Sequence, residues 1–529
     1  MRQDLKDDWF PDPIQFDDLL DSETLEKGLS SNFARNHGVY TPGQTQIFDI
    51  PKANFVVRYA IEKNLYDRVF FSGLAVYLLR HFDKLLSDRS MSHRLNQNRK
   101  KSRKYIFKNG VQQWSEFRGI VLQRSRGRVM LETDVNSFFE SINVDYIKTH
   151  FVTLLQELQV SGAMKVQIRR CINLLFECLP KWTFDGTRRG LPQNRDASSF
   201  LANILMDKID REMLANGYDY WRYMDDIRLV CDTEHEARKA LLELTRALRS
   251  SELGVNPGKT KINTTDQELE ESLAPNPKLQ QINFLWQSKQ LPSIYRSVHV
   301  LFDYANELIQ QNATQSREFR FCMGRLGKLV RCYEFQLPPR SVSPLVDQLI
   351  TELDSNPVSS DQFINFLMFA DLSEAQVGRL IDYATDDARS IYSWQNYLLW
   401  RLFAARKVRS GTLIRYAFNQ IRNQKAEEAD LAGAALYIGA VGNARTRIRL
   451  ARQFHRFQGF IDQRSALVAI HEVPWAVVKD TVKPHVLGEL TGVYQRLHKD
   501  SKFTGQYMKL PDSLKLSELF DSLGSENVS

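Results

Sequence analysis

Residues 221–228, which read W-R-Y-M-D-D-I-R, constrain the fold of this chain more than any other stretch. The flanking residues, 218–222 and 227–231, are predicted to form two short strands, with Asp225 and Asp226 at a tight turn between them. A hairpin with adjacent carboxylates at its tip suits a hard cation such as Mg²⁺, which takes oxygen ligands from carboxylates and substrate phosphates. The alternative is a surface hairpin with an acidic turn, since four residues alone are a weak signal.

A further acidic residue, Asp134, stands at the end of a predicted strand. Residues 129–133 are apolar enough for a short buried strand, and the chain then turns into a helix through residue 142. A carboxylate in that position projects into a cleft. The alternative is a helix N-cap, a position at which Asp is common.

Two loops complete the set of motifs. Residues 190–193, Gly-Leu-Pro-Gln, break the chain ahead of a helix that begins at Asp196 and carries an apolar stripe of 3.6-residue period. The loop at 253–260 carries Lys259 just before another short strand.

The segment 89–108 is strongly basic and contains no acidic residue. Lys and Arg clusters supply most of the sequence-independent affinity for nucleic acid, through the phosphates. The residues predicted to bind nucleic acid are Arg99, Lys100, Lys101, Arg103 and Lys104. A solvated loop is the alternative interpretation.

The bulk properties describe a soluble protein with several domains. The chain has 529 residues and a net charge of +8, which favours a polyanionic partner. Its five cysteines are scattered, without zinc-ligand spacing, as expected of reduced thiols. No leader and no apolar run long enough to span a membrane is visible. A cytoplasmic protein without membrane contact is predicted.

In this order, the motifs resemble those of the reverse transcriptases, over about residues 45 to 290. Asp134 with Phe139 resembles the first catalytic motif and residues 190–193 the second. Residues 223–226, Tyr-Met-Asp-Asp, resemble the third, and the loop with Lys259 the fourth.

The resemblance implies an α+β fold, the right-hand polymerase with fingers and palm. After residue 290 the strand signals fade and amphipathic helices follow in close succession, without an exact sequence period. We therefore expect an irregular, HEAT-like all-α array. The predicted divisions are an N-terminal extension (1–45), fingers and palm (46–290), the helical array (291–510) and a polar tail (511–529).

The resemblance also implies a catalytic role for the acidic residues. Asp134, Asp225 and Asp226, with the carbonyl of Val135, are expected to hold two Mg²⁺ ions, with Mn²⁺ as an alternative. Two such ions stabilise the attacking hydroxyl and the leaving pyrophosphate in nucleotidyl transfer.

Five other residues are expected to bind the incoming dNTP. By resemblance, Lys52 and Arg58 of the fingers grip the triphosphate, and Gln193 contacts the nucleotide. Phe139 lies under the sugar and excludes a 2′-hydroxyl, and Lys259 polarises the leaving pyrophosphate.

Three positions depart from the family pattern. Asn194 stands where Gly is usual, Ser199 where Pro is frequent, and Arg228 where many members are apolar. None of them removes a metal ligand. Arg228 is two residues beyond Asp226 on a strand and so shares its face. We expect it to contact the primer strand or a neighbouring carboxylate.

A helical array appended to such a core resembles the bacterial abortive-infection and related defence-associated reverse transcriptases. That resemblance implies anti-phage defence, untemplated DNA synthesis, priming from a protein hydroxyl that leaves the DNA covalently attached, and homo-oligomers. Tyr40, in an exposed-looking turn, is a candidate priming residue. The alternatives are an RNA-templated enzyme with a partner non-coding RNA, and a catalytically silent scaffold. The presence of all three aspartates argues against the scaffold.

Overall fold

The computed structural model describes residues 5, 8–97, 105–274 and 276–523. The basic residues predicted to bind nucleic acid, Arg99, Lys100, Lys101, Arg103 and Lys104, lie outside the described residues. Their role stays a prediction.

Within the described residues, six strands form two antiparallel sheets. The strands are β1 (Gln46–Pro51), β2 (Val57–Glu62), β3 (Val129–Asp134), β4 (Asp219–Tyr223), β5 (Asp226–Cys231) and β6 (Lys261–Asn263). β1 and β2 pair as a hairpin, and the other sheet has the order β4-β5-β3-β6. β5 and β3 are therefore central neighbours, which brings the Asp-Asp turn beside the end of the strand that carries Asp134.

In the described part of the chain up to residue 287, ten helices surround these sheets or connect their strands. They are α1 (Ser22–Arg35), α2 (Leu65–Phe82), α3 (Gly110–Ser125), α4 (Phe138–Ser141), α5 (Val144–Glu157), α6 (Gly162–Cys178), α7 (Asp196–Ala215), α8 (Glu234–Arg249), α9 (Asp266–Leu273) and α10 (Pro277–Gln287). α2, α5, α6, α7 and α8 share one buried apolar cluster with the larger sheet. The helix predicted to begin at Asp196 is confirmed.

The remaining described chain is helical, as predicted. Its helices are α11 (Leu291–Gln310), α12 (Arg317–Arg331), α13 (Pro339–Ser355), α14 (Ser360–Leu367), α15 (Glu374–Ala384), α16 (Ser393–Ala405), α17 (Gly411–Arg422), α18 (Glu428–Val441), α19 (Ala444–Ala451), α20 (Phe460–Ile470), α21 (Trp475–Val482), α22 (Val493–Lys499) and α23 (Leu516–Leu523). α12, α14, α16, α18 and α20 pack in sequence as a buried row. α18 and α20 are buried on nearly every face, although α20 also buries the polar side chains of Asp462, Gln463 and Arg464. The HEAT-like assignment stays a prediction.

The buried cores differ from the predicted divisions. The core of the helical array includes Phe10, Ile14 and Leu19 from the N-terminal segment, and Trp286 of α10. The start of the chain is therefore part of the array's packing, and the array begins before residue 290. In the expected polar tail, α23 buries Leu519 completely. Polar composition hid the apolar face of this short helix.

Residues 8–20, which we call the N-terminal strap, connect the array to α2 and to the residue before α7 through buried ion pairs. At one end, Arg464 Nε of α20 donates to Asp12 Oδ2 at 2.8 Å and Arg464 Nη1 to Asp18 Oδ2 at 3.0 Å. At the other end, Asp8 pairs with Arg68 Nη2 at 2.7 Å and with Arg195 Nη1 at 2.8 Å. The strap thus bridges two parts of the chain that also touch directly, because Phe48, Ala60 and Leu65 belong to the same apolar cluster as the array.

Within the described residues, no helix is both long and apolar enough to cross a membrane.

The strap's ion pairs give a stability prediction. Arg464→Ala leaves the carboxylates of Asp12 and Asp18 buried without a cation, which costs about 3–5 kcal/mol. We expect a large fall in Tm by calorimetry and rapid proteolysis of the strap. The control is Arg379→Ala, which breaks an exposed pair with Asp347 at 2.7 Å worth at most about 1 kcal/mol. Equal falls in Tm for the two variants would contradict the role of the strap.

Candidate active site

The hairpin predicted from the sequence is present, with Met224 and Asp225 as its two-residue turn. Tyr223 pairs with Asp226 across the turn, and Met224 has a φ of +59°. A non-glycine residue in the left-handed region costs free energy and needs support from its surroundings. That support comes from the fully buried Arg222, whose Nη1 donates to the Met224 carbonyl at 2.8 Å.

Arg222 is fixed in turn by a buried carboxylate. Its Nε and Nη2 donate to the two oxygens of Asp210 on α7, at 2.8 and 2.7 Å. Two parallel charge-assisted bonds hold a guanidinium in one orientation. The turn therefore depends on a rigid ion pair behind it.

The register of the central strands brings the three predicted aspartates together. Asp134, the last residue of β3, is directly opposite Asp226, the first residue of β5. Burial raises the pKa of Asp225 to about 7, with further contributions from the negative charges of Asp134 and Asp226. The pKa of Asp226 is raised by burial as well. Three acids thus share one poorly solvated region, and the charge of Asp134 makes ionisation of Asp225 and Asp226 costlier.

Three cations offset this charge. Lys259 Nζ contacts Asp134 Oδ2 at 2.8 Å. Arg317 Nη2, from the first turn of α12, is 3.6 Å from Asp226 Oδ2. Arg228 Nη2 is 4.0 Å from Asp226 Oδ1 and 3.5 Å from Glu132 Oε2.

The contact predicted between Arg228 and a neighbouring carboxylate is therefore confirmed. The larger sheet places Arg228, Asp226 and Glu132 within reach of one another.

The carboxylate oxygens of the three aspartates are suitable ligands for a divalent cation, although the described side chains are not arranged as a complete set of metal ligands. Within the described residues, no group of three or more Asp, Glu, His or Cys side chains is arranged to hold a metal ion. At Asp134 the reason is visible, because an ammonium group already occupies the carboxylate. Lys259 is exposed over 63% of its side chain and is free to move away. Oxygen donors with excess negative charge are what Mg²⁺ requires.

The predicted nucleotide-binding residues Lys52 and Gln193 meet on one carboxylate, Glu140 of α4. Lys52 Nζ is 3.5 Å from Glu140 Oε1, and Gln193 Nε2 donates to the same oxygen at 3.3 Å. Gln193 Nε2 is also 3.3 Å from the Tyr59 carbonyl. The hairpin of β1 and β2 therefore meets the loop at 190–193 at Glu140, which follows Asp134 by six residues.

Gly190 is required where these elements touch. Its φ is +85°, and a Cβ there would lie 2.6 Å from the Tyr59 hydroxyl oxygen. That hydroxyl donates to the Glu140 carbonyl at 2.9 Å. Only glycine combines this backbone conformation with so close an approach.

The other two predicted nucleotide contacts are placed differently. The Arg58 guanidinium lies over the Trp9 ring of the strap at 5.5 Å. Burial and the charge of Arg320 on α12 lower its pKa. Phe139 is half-buried, with its ring edge-on to Phe138 at 5.3 Å. Their contacts with a nucleotide stay predictions.

Tyr40 is not in an exposed turn, so the basis for choosing it as a priming residue was wrong. It is 3% exposed, its ring stacks on Phe70 at 3.7 Å, and its hydroxyl donates to Asp67 Oδ1 at 2.6 Å. Burial and the Asp67 charge raise its pKa. The turn signal was local, whereas the burial comes from α1 and α2 packing around it.

Three contributors to this site escaped the sequence analysis: Arg222, Glu140 and Arg317. Glu140 and Arg222 each lie one residue outside a recognised motif. A charged residue within a predicted buried strand was the available signal for Arg222. Arg317 comes from a helix distant in sequence. Its guanidinium lies 3.9 Å from the Trp114 ring centre, and Trp114 is edge-on to Tyr223 of the turn. Only the tertiary structure could reveal it.

Comparisons with known proteins bear on this geometry. Residues 68–301 match the family described as reverse transcriptase (RNA-dependent DNA polymerase). A comparison with curated proteins gave no match. Among solved structures, telomerase from Candida albicans in complex with a TWJ fragment of telomeric RNA aligns at a TM-score of 0.31 and 12% identity, over 74% of this chain and 67% of that one.

The clustered acids predict a pH-dependent stability. An Asp whose folded-state pKa exceeds its unfolded value loses stability as the pH rises between the two, here from about 4 to about 7. In EDTA, we expect Asp225→Asn to raise Tm by about 2 °C or more at pH 8, and by progressively less towards pH 4.

The matched control is Asp232→Asn, which changes an exposed acid directly after the end of β5. A gain for Asp225→Asn that is equal at every pH would show that the three acids do not repel one another.

Proposed function

We propose that Asp134, Asp225 and Asp226 carry the nucleotidyl transfer. Residues 68–301 match the reverse transcriptase family, and the chain is accordingly a nucleotidyltransferase, a DNA polymerase. The reaction joins deoxynucleotides to a growing 3′-hydroxyl and releases pyrophosphate. Asp134 and Asp225 would hold two Mg²⁺ ions, or Mn²⁺, which lower the barrier by stabilising the attacking and the leaving oxygens.

The surrounding side chains position the substrate. Lys52 binds the triphosphate and Gln193 contacts the nucleotide, and both side chains contact the same oxygen of Glu140. Phe139 restricts the sugar. Lys259 leaves Asp134 and donates a hydrogen bond or a proton to the departing pyrophosphate.

The observation that carries this proposal is the electrostatic state of the turn. Burial, together with the negative charges of Asp134 and Asp226, raises the pKa of Asp225 to about 7. A solvent-exposed carboxyl group, or one with its own cationic partner, would not have a raised pKa. Carboxyl groups whose pKa is raised by burial and by neighbouring acids are concentrated at active sites. The counter-charge from Lys259 is exposed and replaceable, which supports a site built to receive cations.

The direct test is incubation with labelled dNTPs and Mg²⁺, without added template or primer. We expect the wild type to make DNA, and the double variant Asp225→Asn with Asp226→Asn to lose at least about 10³-fold, the equivalent of about 4 kcal/mol of lost stabilisation. Asp232→Asn is the control.

Two further arms of that assay separate modes of synthesis. DNA that stays with protein until protease treatment indicates a protein primer, and synthesis that ribonuclease abolishes indicates a partner RNA template. Full synthesis by the double variant would contradict the assigned site.

We also propose that this polymerase serves bacterial anti-phage defence, in the manner of abortive infection, through untemplated, protein-primed synthesis by a homo-oligomer. Support comes from the architecture, a reverse transcriptase domain whose catalytic turn is contacted by an appended all-α array through Arg317. In bacteria that express the chain, we expect fewer plaques with the wild type and none of this protection with the double variant. Protection that survives the double substitution would refute a role for DNA synthesis.

A further inference from the structure

A large cavity lies where the N-terminal strap, the fingers hairpin and the helical array meet. Its volume is about 850 Å³, in the range of small-molecule sites. Its walls include Trp9 from the strap, Arg58 from β2, Arg320 from α12, and Trp394 and Arg401 from α16. None of the three catalytic aspartates lines it, nor do Lys52 and Gln193.

The cavity presents buried hydrogen-bond donors without partners. Within the described residues, Arg401 Nε, Arg58 Nε and Trp9 Nε1 are buried and unpaired. Arg401 is only 9% exposed, and burial lowers its pKa. An unpaired buried donor is costly, more so when it is charged. Trp9, Arg58 and Arg401, whose side chains hold these donors, all line the cavity, which favours a ligand with several acceptors.

The charge of the walls has a definite sign. Most of the acids there already have a cationic partner, since Asp12 shares Arg464 with Asp18, and Asp17 pairs with Lys509. Asp8 is held by the two arginines described above. Three guanidinium groups, of Arg58, Arg320 and Arg401, then face one carboxylate, that of Asp361. The cavity is therefore suited to an anion.

Asp361 adds an acceptor to these donors. Its Oδ1 is buried without a hydrogen-bond partner, and its Oδ2 accepts from Gln362. A simple phosphate would leave Oδ1 unsatisfied and would be repelled by it. A ligand with both anionic oxygens and N–H donors satisfies both sets of groups, and nucleotides with an exocyclic amine have both.

We propose that this cavity is a second nucleotide site, which takes a nucleoside triphosphate with an amino-bearing base and needs no metal ion. Arg320, Arg401 and Arg58 bind the phosphates, and Asp361 with Trp9 Nε1 contacts the base. The site is formed jointly by strap, fingers and array, so its occupancy stabilises their association. The inference does not depend on catalysis at the aspartates.

The experiment measures thermal stability and binding by calorimetry in EDTA, with dATP and, separately, with inorganic tripolyphosphate. We expect both probes to raise the Tm of the wild type. Arg401→Gln and the exposed Arg320→Gln should each weaken both by about 10-fold or more, as for a lost charged hydrogen bond. Trp9→Ala should weaken dATP more than tripolyphosphate.

Two controls locate the binding. Arg415→Gln removes an exposed arginine of the array away from the cavity and should leave both affinities unchanged. Lys52→Gln alters the fingers site and should also leave metal-free binding unchanged. Binding that is lost in Lys52→Gln but kept in Arg320→Gln would place the nucleotide in the active site and overturn the proposal. Absence of binding by the wild type would overturn it as well.

Discussion

Repulsion among carboxylates is the constraint on which this structure depends. Antiparallel pairing of β3 with β5 places Asp134 opposite Asp226, and the turn adds Asp225 beside them. The surrounding elements hold this arrangement against its own charge. The buried Arg222 and Asp210 fix the turn from behind, while Lys259, Arg228 and Arg317 supply positive charge in front. Without these supports, the turn would move away from β3, or one of its carboxylates would take up a proton.

The helical array is part of this balance. α12 brings Arg317 to Asp226, so the position of the array affects the electrostatics of the Asp225–Asp226 turn. The N-terminal strap contributes to fixing that position, because its Asp12 and Asp18 pair with Arg464 of α20 and its Asp8 pairs with Arg195 ahead of α7. Residues at the start of the chain are thereby linked through the array to the charges around a turn far along the sequence.

The sequence predicted what is encoded locally. The hairpin, the strand that ends at Asp134, the helix that begins at Asp196 and the all-α region follow from periodicity and motif spacing. Long-range packing was not visible. Tyr40 looked exposed because its own turn is polar, yet α1 and α2 bury it. The strap looked like an acidic extension, since nothing near it in sequence announces its partner Arg464. Arg317 belongs to a helix outside every motif.

The central claim is that Asp134 and Asp225 exchange the ammonium of Lys259 for metal ions when a nucleotide binds. A crystal structure with Mn²⁺ and a non-hydrolysable dNTP tests this through anomalous scattering. We expect Mn²⁺ within coordination distance of both carboxylates, and Lys259 moved from Asp134 towards the triphosphate. Lys259 still bound to Asp134, with Mn²⁺ held elsewhere or not at all, would contradict it.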